Sequence, residues 1–511
     1  MSEHDTSSGR RENLQARRKV LTPEQQALLE RRLRGTPEAV TSHLLPPIER
    51  VSRDVQIPLS YFQEDVIRVF FPGPQTEASP VLKCFRLQGA FNKKAFEQSL
   101  NALAARHEIL RTTFKSINGK FTQLIASSLT VELPFIDLQH LPPDERLQEA
   151  QRLMSDQAFR PYDPTQETLW RSLLVQIGPD DHTLLLTMEH FISDAWSMDV
   201  MVRDTWIAYG IYASGSEPKP TELPIQYADF AHWQRNVLQG ERLDQMISYW
   251  RNRLEGMGLK PEVHFPGETP LPRFLAQDDQ EFANLEIEIP EGLTNSLQAL
   301  SQKKNVTMYL LTLSALVALL YRYTGKEDIG VGSPVANRDY PATKEVLGWF
   351  VNTVILRFNL AGVVTFTDLM ERVRTVVLET YEHHEVPIGL LQDAGLEPDE
   401  YSNPCVRFNM LVETKSSLKA QDFALQESPF SKLAVTPLGI PRPGPLTQLP
   451  GININLGMYR GGLQAVAFYE VKRYPVPLIR EILQNYRTLL EEIVADPEKQ
   501  LSDFSFVIGS A

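Results

Sequence analysis

The sequence predicts a mixed α/β (α+β) protein built as two lobes. Three observations carry this expectation. Short apolar runs that read as strands are interleaved with longer stretches whose apolar residues recur at helical spacing. Strands and covering helices occur in similar amounts on either side of the proline-rich stretch Pro218 to Pro224. The 511 residues are 42% hydrophobic and 23% charged, enough to build large cores without disulfides or metals. No internal repeat is visible.

Residues 1–20 read as a charged tail. Leu21 to Gly35 reads as a short helix, with Thr22 as N-cap, Pro23 in the first turn and Gly35 as the stop. Pro37 to Pro47 reads as linker, so residues 1–54 form an appendage of tail, short helix and linker. An N-terminal lobe, 55–225, then has strands at Leu82–Leu87, Phe121–Ile125, Leu169–Ile177 and Thr183–His190. Its helices are Lys93–His107, with Phe96, Leu100 and Leu103 on one face, Leu141–Phe159 and Ser197–Tyr212. A C-terminal lobe, 226–511, has helices at Leu293–Lys303, Met308–Tyr323, Phe366–His383 and Pro477–Ala495. Its strands are Ile329–Val335, Val351–Phe358, Val406–Val412, Ile452–Met458 and Gly462–Tyr469, the last two joined at Arg460-Gly461.

The composition excludes several classes. A formal charge of −13 makes the chain a poor partner for nucleic acid, whose binding rests on neutralising phosphates. Met1 to Lys19 is too polar for a signal peptide, and the longest apolar run, Leu310 to Leu320, is too short to span a bilayer. A cytoplasmic protein with no membrane partner is the expectation. Cys84 and Cys405 lie far apart and near no histidine pair, which suits reduced core thiols and neither a disulfide framework nor a zinc site.

The most informative segment runs Met188-Glu189-His190-Phe191-Ile192-Ser193-Asp194-Ala195-Trp196-Ser197. An apolar strand delivers His190 to its C-terminal end, and a helix starts just after Asp194. A histidine at a strand end can face a cleft, where its near-neutral pKa suits acid–base work. By itself the pattern fits a hydrogen-bonded core histidine better than a catalyst. Asp194 fits either a helix cap or an arginine partner. His383 and His384 are adjacent and diverge, so they form no metal site. His107 sits at a charged helix end, where capping or packing is the expected role.

The segment has company. Residues 106–114 read Arg-His-Glu-Ile-Leu-Arg-Thr-Thr-Phe, residues 227–233 Tyr-Ala-Asp-Phe-Ala-His-Trp, residues 329–339 Ile-Gly-Val-Gly-Ser-Pro-Val-Ala-Asn-Arg-Asp, and residues 348–357 Gly-Trp-Phe-Val-Asn-Thr-Val-Ile-Leu-Arg. With Leu59-Ser60-Tyr61-Phe62-Gln63 ahead and His384-Glu385-Val386-Pro387 behind, in this order, residues 55–508 resemble the condensation domains of nonribosomal peptide synthetases. The resemblance implies two chloramphenicol-acetyltransferase-like lobes in a V-shaped pseudo-dimer with a central tunnel. It implies donor and acceptor carrier proteins as partners, each bringing a phosphopantetheine arm, with no cofactor bound to the chain itself, no metal, and a monomer. It implies that an acceptor amine attacks a donor thioester; a hydroxyl acceptor, giving an ester, is the alternative. A catalytically silent domain that recruits a partner enzyme is a second, and an acyltransferase using free acyl-coenzyme A a third.

The family signature is His-His-x-x-x-Asp-Gly. By resemblance, His190 is the catalytic second histidine, Asp194 the structural aspartate, and Arg338 its arginine partner. Glu189 replaces the first histidine and Ala195 the glycine. Glu189 is expected to satisfy a polar partner behind the site, because neighbouring side chains on a strand point to opposite faces. Ala195, Trp196, Ser333 and Asn352 are expected to line the tunnel.

Overall fold

The computed structural model describes residues 46–70, 79–117, 120–217, 222–257, 263–269, 281–396, 406–411, 433–441, 451–459 and 461–505. The helix expected at Leu21–Gly35, and Cys405, lie outside them. The described chain opens with β1 (Ile57–Pro58), α1 (Tyr61–Phe70), β2 (Pro80–Gly89), α2 (Lys93–Arg106), β3 (Thr112–Ile117), β4 (Lys120–Ile125), β5 (Phe135–Asp137) and α3 (Arg146–Phe159). It continues through β6 (Trp170–Gly178), β7 (Asp181–Glu189), α4 (Ala195–Ala213), α5 (Tyr227–Val237) and α6 (Gly240–Arg253). The second half holds β8 (Phe282–Ile289), α7 (Glu291–Lys304), α8 (Met308–Thr324), β9 (Asp328–Val335), β10 (Asn352–Asn359), α9 (Phe366–Tyr381) and α10 (Ile388–Asp393). It closes with β11 (Val406–Leu411), β12 (Leu433–Pro437), β13 (Ile452–Tyr459), β14 (Gly462–Glu470) and α11 (Val476–Ala495).

The mixed α/β class is the one observed. A five-stranded sheet of order β12-β2-β7-β6-β5 centres the first lobe, and a six-stranded sheet of order β10-β9-β11-β13-β14-β8 the second; β1, β4 and β3 form a small third sheet. Strand alternation sorts the side chains of the first sheet. Leu184, Leu186 and Met188 of β7 join the core under α2 and α4, while Leu185 faces the other way, into the cluster with Ala150, Met154 and Ala158 of α3. Glu189 shares the parity of Leu185 and Thr187. The second core wraps α7, α8, α9 and α11 around the larger sheet.

Local chemistry sets the helix ends. Asn92 caps α2 by accepting from the Ala95 N–H at 3.0 Å, and Thr365 with Asp368 forms a reciprocal capping box at α9. Gly325, at φ 64°, ends α8 in the left-handed region. Two expected helices differ from those observed. The first turn after Leu141 is taken up by the Pro142-Pro143 turn, so α3 starts at Arg146. Helix α9 stops at Tyr381, so His383 and His384 lie beyond it. The long apolar α8 is buried in the second core. No single helix among the described residues is long and apolar enough to cross a membrane.

The two halves interlock. Tyr227 and Phe230 of α5, the segment Val346 to Phe350, and Leu433 of β12 all pack into the first core. β12 pairs antiparallel with β2, matching Leu433 with Gly89 and Pro437 with Phe85.

Candidate active site

His190 begins a single 3₁₀ turn, His190–Ile192, directly after β7. Its backbone N–H points at the Ser79 carbonyl (3.3 Å), and the Ser193 hydroxyl donates to the Glu189 carbonyl (2.9 Å) to brace the turn. The ring Nδ1 lies 3.4 Å from the Ser193 carbonyl oxygen, an atom that only accepts. Donation to that oxygen requires the proton on Nδ1, which in the neutral ring places the lone pair on Nε2. Burial pushes the imidazole below its ordinary value, against the Ser193 carbonyl and the Asp194 carboxylate, which favour its charged form. A neutral histidine of fixed tautomer is what a general base requires.

Glu189 is on the opposite face, as strand parity demands. It is 1% exposed. Its carboxylate accepts from the Ser79 N–H at 3.2 Å and from the His190 backbone N–H at 3.2 Å. Burial pushes this carboxyl up to about 7, opposed by those two amides and by the Arg171 guanidinium. It thus ties the start of β2 to the end of β7, and its bond to His190 is to the backbone, not the ring.

Asp194 does both jobs the sequence allowed. It caps α4 by accepting from the Ser197 N–H at 2.7 Å, and it pairs with Arg338 at 3.0 Å, both side chains 2% exposed. Its second oxygen accepts from the Phe350 N–H at 3.2 Å. Arg338 in turn donates to the carbonyls of Thr343 (2.6 Å) and Val346 (2.7 Å) and to the Ser197 hydroxyl (2.7 Å), and stacks over Phe350 at 4.1 Å. Burial lowers its pKa and Asp194 opposes the shift. The pair anchors residues 338–350 of the second half to the helix that follows His190.

The other expected site residues separate. Ala195 is exposed at the first position of α4. Trp196 is half-buried and donates from Nε1 to the Lys344 carbonyl at 2.9 Å. Ser333 is fully buried, bonded to the Tyr309 hydroxyl (2.7 Å) and the Phe408 carbonyl (3.2 Å). Asn352 donates to the carbonyls of His384 (2.7 Å) and Val386 (2.8 Å). Ser333 and Asn352 thus spend these bonds inside the second lobe. His107 packs, 1% exposed, with Nε2 3.0 Å from Asp204.

Sequence reasoning gives no role to Gly348 and Trp349. The Trp349 ring stands edge-on to His190, centroids 5.1 Å apart and planes at 77°. A Cβ on Gly348 would lie 1.8 Å from Cδ2 of Tyr227, so only glycine fits there. His384, for which the sequence excludes only metal binding, is a charged group. Its Nδ1 faces the Tyr381 carbonyl (2.6 Å) and its Nε2 the Asp339 carboxylate (2.7 Å). Both partners are acceptors, so both nitrogens donate and the ring is an imidazolium. Burial works against that charge, but Asp339 and the Tyr381 carbonyl hold the pKa above its ordinary value. Among the described residues no group of three His, Cys, Asp or Glu side chains can hold a metal ion.

The family model described as Condensation domain matches residues 55–508. The chain belongs to the condensation-domain family. A linear gramicidin synthase protein of Brevibacillus parabrevis is 34% identical over 456 residues, covering 89% of this chain and 6% of that protein. Phosphinothricin tripeptide synthetase PhsC of Streptomyces viridochromogenes is 33% identical over 420 residues, 81% of this chain and 38% of that protein. The condensation domain thus spans well under half the length of these curated relatives. Among solved structures, the X-domain from teicoplanin biosynthesis superposes with a TM-score of 0.75 at 24% identity, covering 90% of this chain and all of that one. The first condensation domain of the calcium-dependent antibiotic synthetase superposes at 0.68 and 17% identity, over 89% of this chain and all of that one. At these identities the structural likenesses establish the fold, the chloramphenicol-acetyltransferase-like arrangement of condensation domains.

Proposed function

We propose that this condensation domain joins a carrier-bound acyl or peptidyl thioester to a carrier-bound amine, with His190 as the general base. The observation that carries the reading is the placement of the ring: Nδ1 lies 3.4 Å from the Ser193 carbonyl oxygen, which favours the neutral tautomer with its proton on Nδ1 and its lone pair on Nε2. The acceptor amine attacks the thioester carbonyl carbon, and Nε2 takes the proton the nitrogen loses. The tetrahedral intermediate then collapses, the C–N bond stays, the C–S bond breaks, and His190 returns the proton to the departing thiolate. The phosphopantetheine arms of donor and acceptor carrier proteins belong to the substrates. Asp194 and Arg338 act structurally, by fixing the helix start after His190 against residues 338–350. Glu189 holds the backbone of the same turn from behind.

A second reading has a specific observation in its favour. Both departures from the family signature, Glu189 and Ala195, flank this turn, and the fold superposes well on an X-domain that was also solved in complex with OxyB. A recruiting domain would bind a partner enzyme and leave carrier-bound substrates unchanged. The deciding assay supplies two loaded carrier proteins to the wild type and to His190→Ala and follows the joined product by mass spectrometry. Loss of about 10²–10⁴-fold in the variant is the expected result. Near-wild-type turnover in His190→Ala would overturn the role of His190, and no product from any pair with the wild type would favour recruitment.

A further inference from the structure

We propose that Trp349 is a specificity-determining wall beside His190, setting the size of the acceptor group that can reach the imidazole. The proposal rests on the condensation reading above and adds a residue to it.

The backbone around Trp349 is tightly held. On its N-terminal side, the Gly348 N–H donates to the Ser197 hydroxyl at 3.1 Å, and the Gly348 carbonyl accepts from the same hydroxyl at 2.8 Å and from Arg338 at 3.3 Å. On its C-terminal side, the Phe350 N–H donates to Asp194 at 3.2 Å. The carbonyl of Trp349 itself accepts from the Tyr227 hydroxyl at 2.5 Å. That hydroxyl has only one proton, so the Ser60 hydroxyl, 2.8 Å away, donates to it in turn. Gly348 lies against the Tyr227 ring, which leaves no room for the segment to slide. Every one of these partners except Arg338 lies in residues 60–227. The backbone that carries the indole therefore belongs to the second half of the chain but is fixed mainly by the first.

The consequence is steric. A general base works on an amine held about 2.6–3.2 Å away. The carbon bearing that amine, and the first atoms of its side chain, then lie about as far from the ring as the indole does, whose centroid is 5.1 Å from the imidazole. A ring on a pinned backbone can yield to a bulky group only by turning about its own side-chain bonds, so it discriminates by size. Trp349 is half-buried and so is His190, which places the contact at the boundary of the solvent-reached space.

Two readouts test this. Carbethoxylation of His190 by diethyl pyrocarbonate, followed by mass spectrometry of its peptide, reports how far the indole covers the imidazole without any turnover. Trp349→Ala should raise the labelling rate about fivefold or more, and Trp349→Phe, which keeps a ring, should stay within about twofold of wild type. Competition between a glycyl and a phenylalanyl acceptor on the same carrier protein reports the wall directly. Removing atoms from an apolar wall typically shifts discrimination by about 10–200-fold, so Trp349→Ala should move the product ratio at least tenfold toward the phenylalanyl acceptor. Unchanged labelling in a Trp349→Ala protein of near-wild-type melting temperature would overturn the proposal, as would an unchanged product ratio in a variant that turns over. If the wild type joins no carrier-bound pair, the condensation reading fails, and the labelling rate still decides for or against the wall.

Discussion

Asp194→Ala is expected to injure stability first and chemistry second. The carboxylate accepts from Arg338 at 3.0 Å, from the Ser197 N–H at 2.7 Å and from the Phe350 N–H at 3.2 Å, and neither charged side chain reaches solvent. Alanine leaves the guanidinium with its carbonyl and hydroxyl partners but without a counter-charge. Breaking a buried pair from one side costs roughly 3–5 kcal/mol, and the lost N-cap adds about 1 kcal/mol. Unfolding entropy of roughly 2.1 cal/mol/K per residue gives about 1 kcal/mol/K for a chain of 511 residues, so the melting temperature should fall by about 4–6 °C. Calorimetry and denaturant titration measure it. The double variant Asp194→Asn with Arg338→Met buries no charge at either position and should recover part of the loss. The reasoning is refuted if the two single losses simply add in the double-mutant cycle, since side chains that interact cannot behave independently.

Gly348→Ala should destabilise by about 1–3 kcal/mol or more, because its Cβ would sit 1.8 Å from the Tyr227 ring; a melting temperature equal to wild type would show that the ring yields freely. Glu189 has a folded-state pKa raised to about 7, so the stability it contributes is full below the ordinary carboxyl range and is lost as pH rises through about 7. Glu189→Gln should remove that loss, up to about 3 kcal/mol between pH 4.5 and 8, and keep turnover within about tenfold; a variant with the wild-type pH slope would contradict it. His384 also titrates above its ordinary value, so its contribution is present at pH 6 and lost as pH rises through the raised pKa. Melting curves of wild type and His384→Gln should therefore differ at pH 6 and converge toward pH 9.

Much of this is legible in the residues, for physical reasons that differ by element. β7 and the helix after it stand out because nearly every residue of that strand is buried, and Asp194 has the chemistry of a cap wherever a helix follows. Arg338 is 144 residues from Asp194, and only the family resemblance joins them. β8 carries a plain alternation, with Leu285, Ile287 and Ile289 separated by Glu286 and Glu288, yet it is absent from the strands expected above. β12 is five residues long and pairs with a strand some 350 positions earlier, which no local pattern encodes. The role of Gly348 depends on a ring from α5 that approaches in space alone, so the motif that contains it does not disclose it.

The placement of the two departures from the family signature leaves in place the contacts on which the proposed base chemistry rests. Glu189 lies behind the strand, and its carboxylate reaches the turn through the backbone amide of His190. Ala195 opens α4 on its exposed side. Neither side chain touches the Nδ1–Ser193 contact that fixes the tautomer of His190, and neither enters the Asp194–Arg338 pair that fixes the helix start. The turn thus keeps the half-buried His190 ring with Nδ1 toward the Ser193 carbonyl, and Arg338 keeps six acceptor atoms around its guanidinium. A desolvated imidazole costs stability unless its hydrogen-bonding needs are met, and here the protein meets those of Nδ1 with a carbonyl from its own turn.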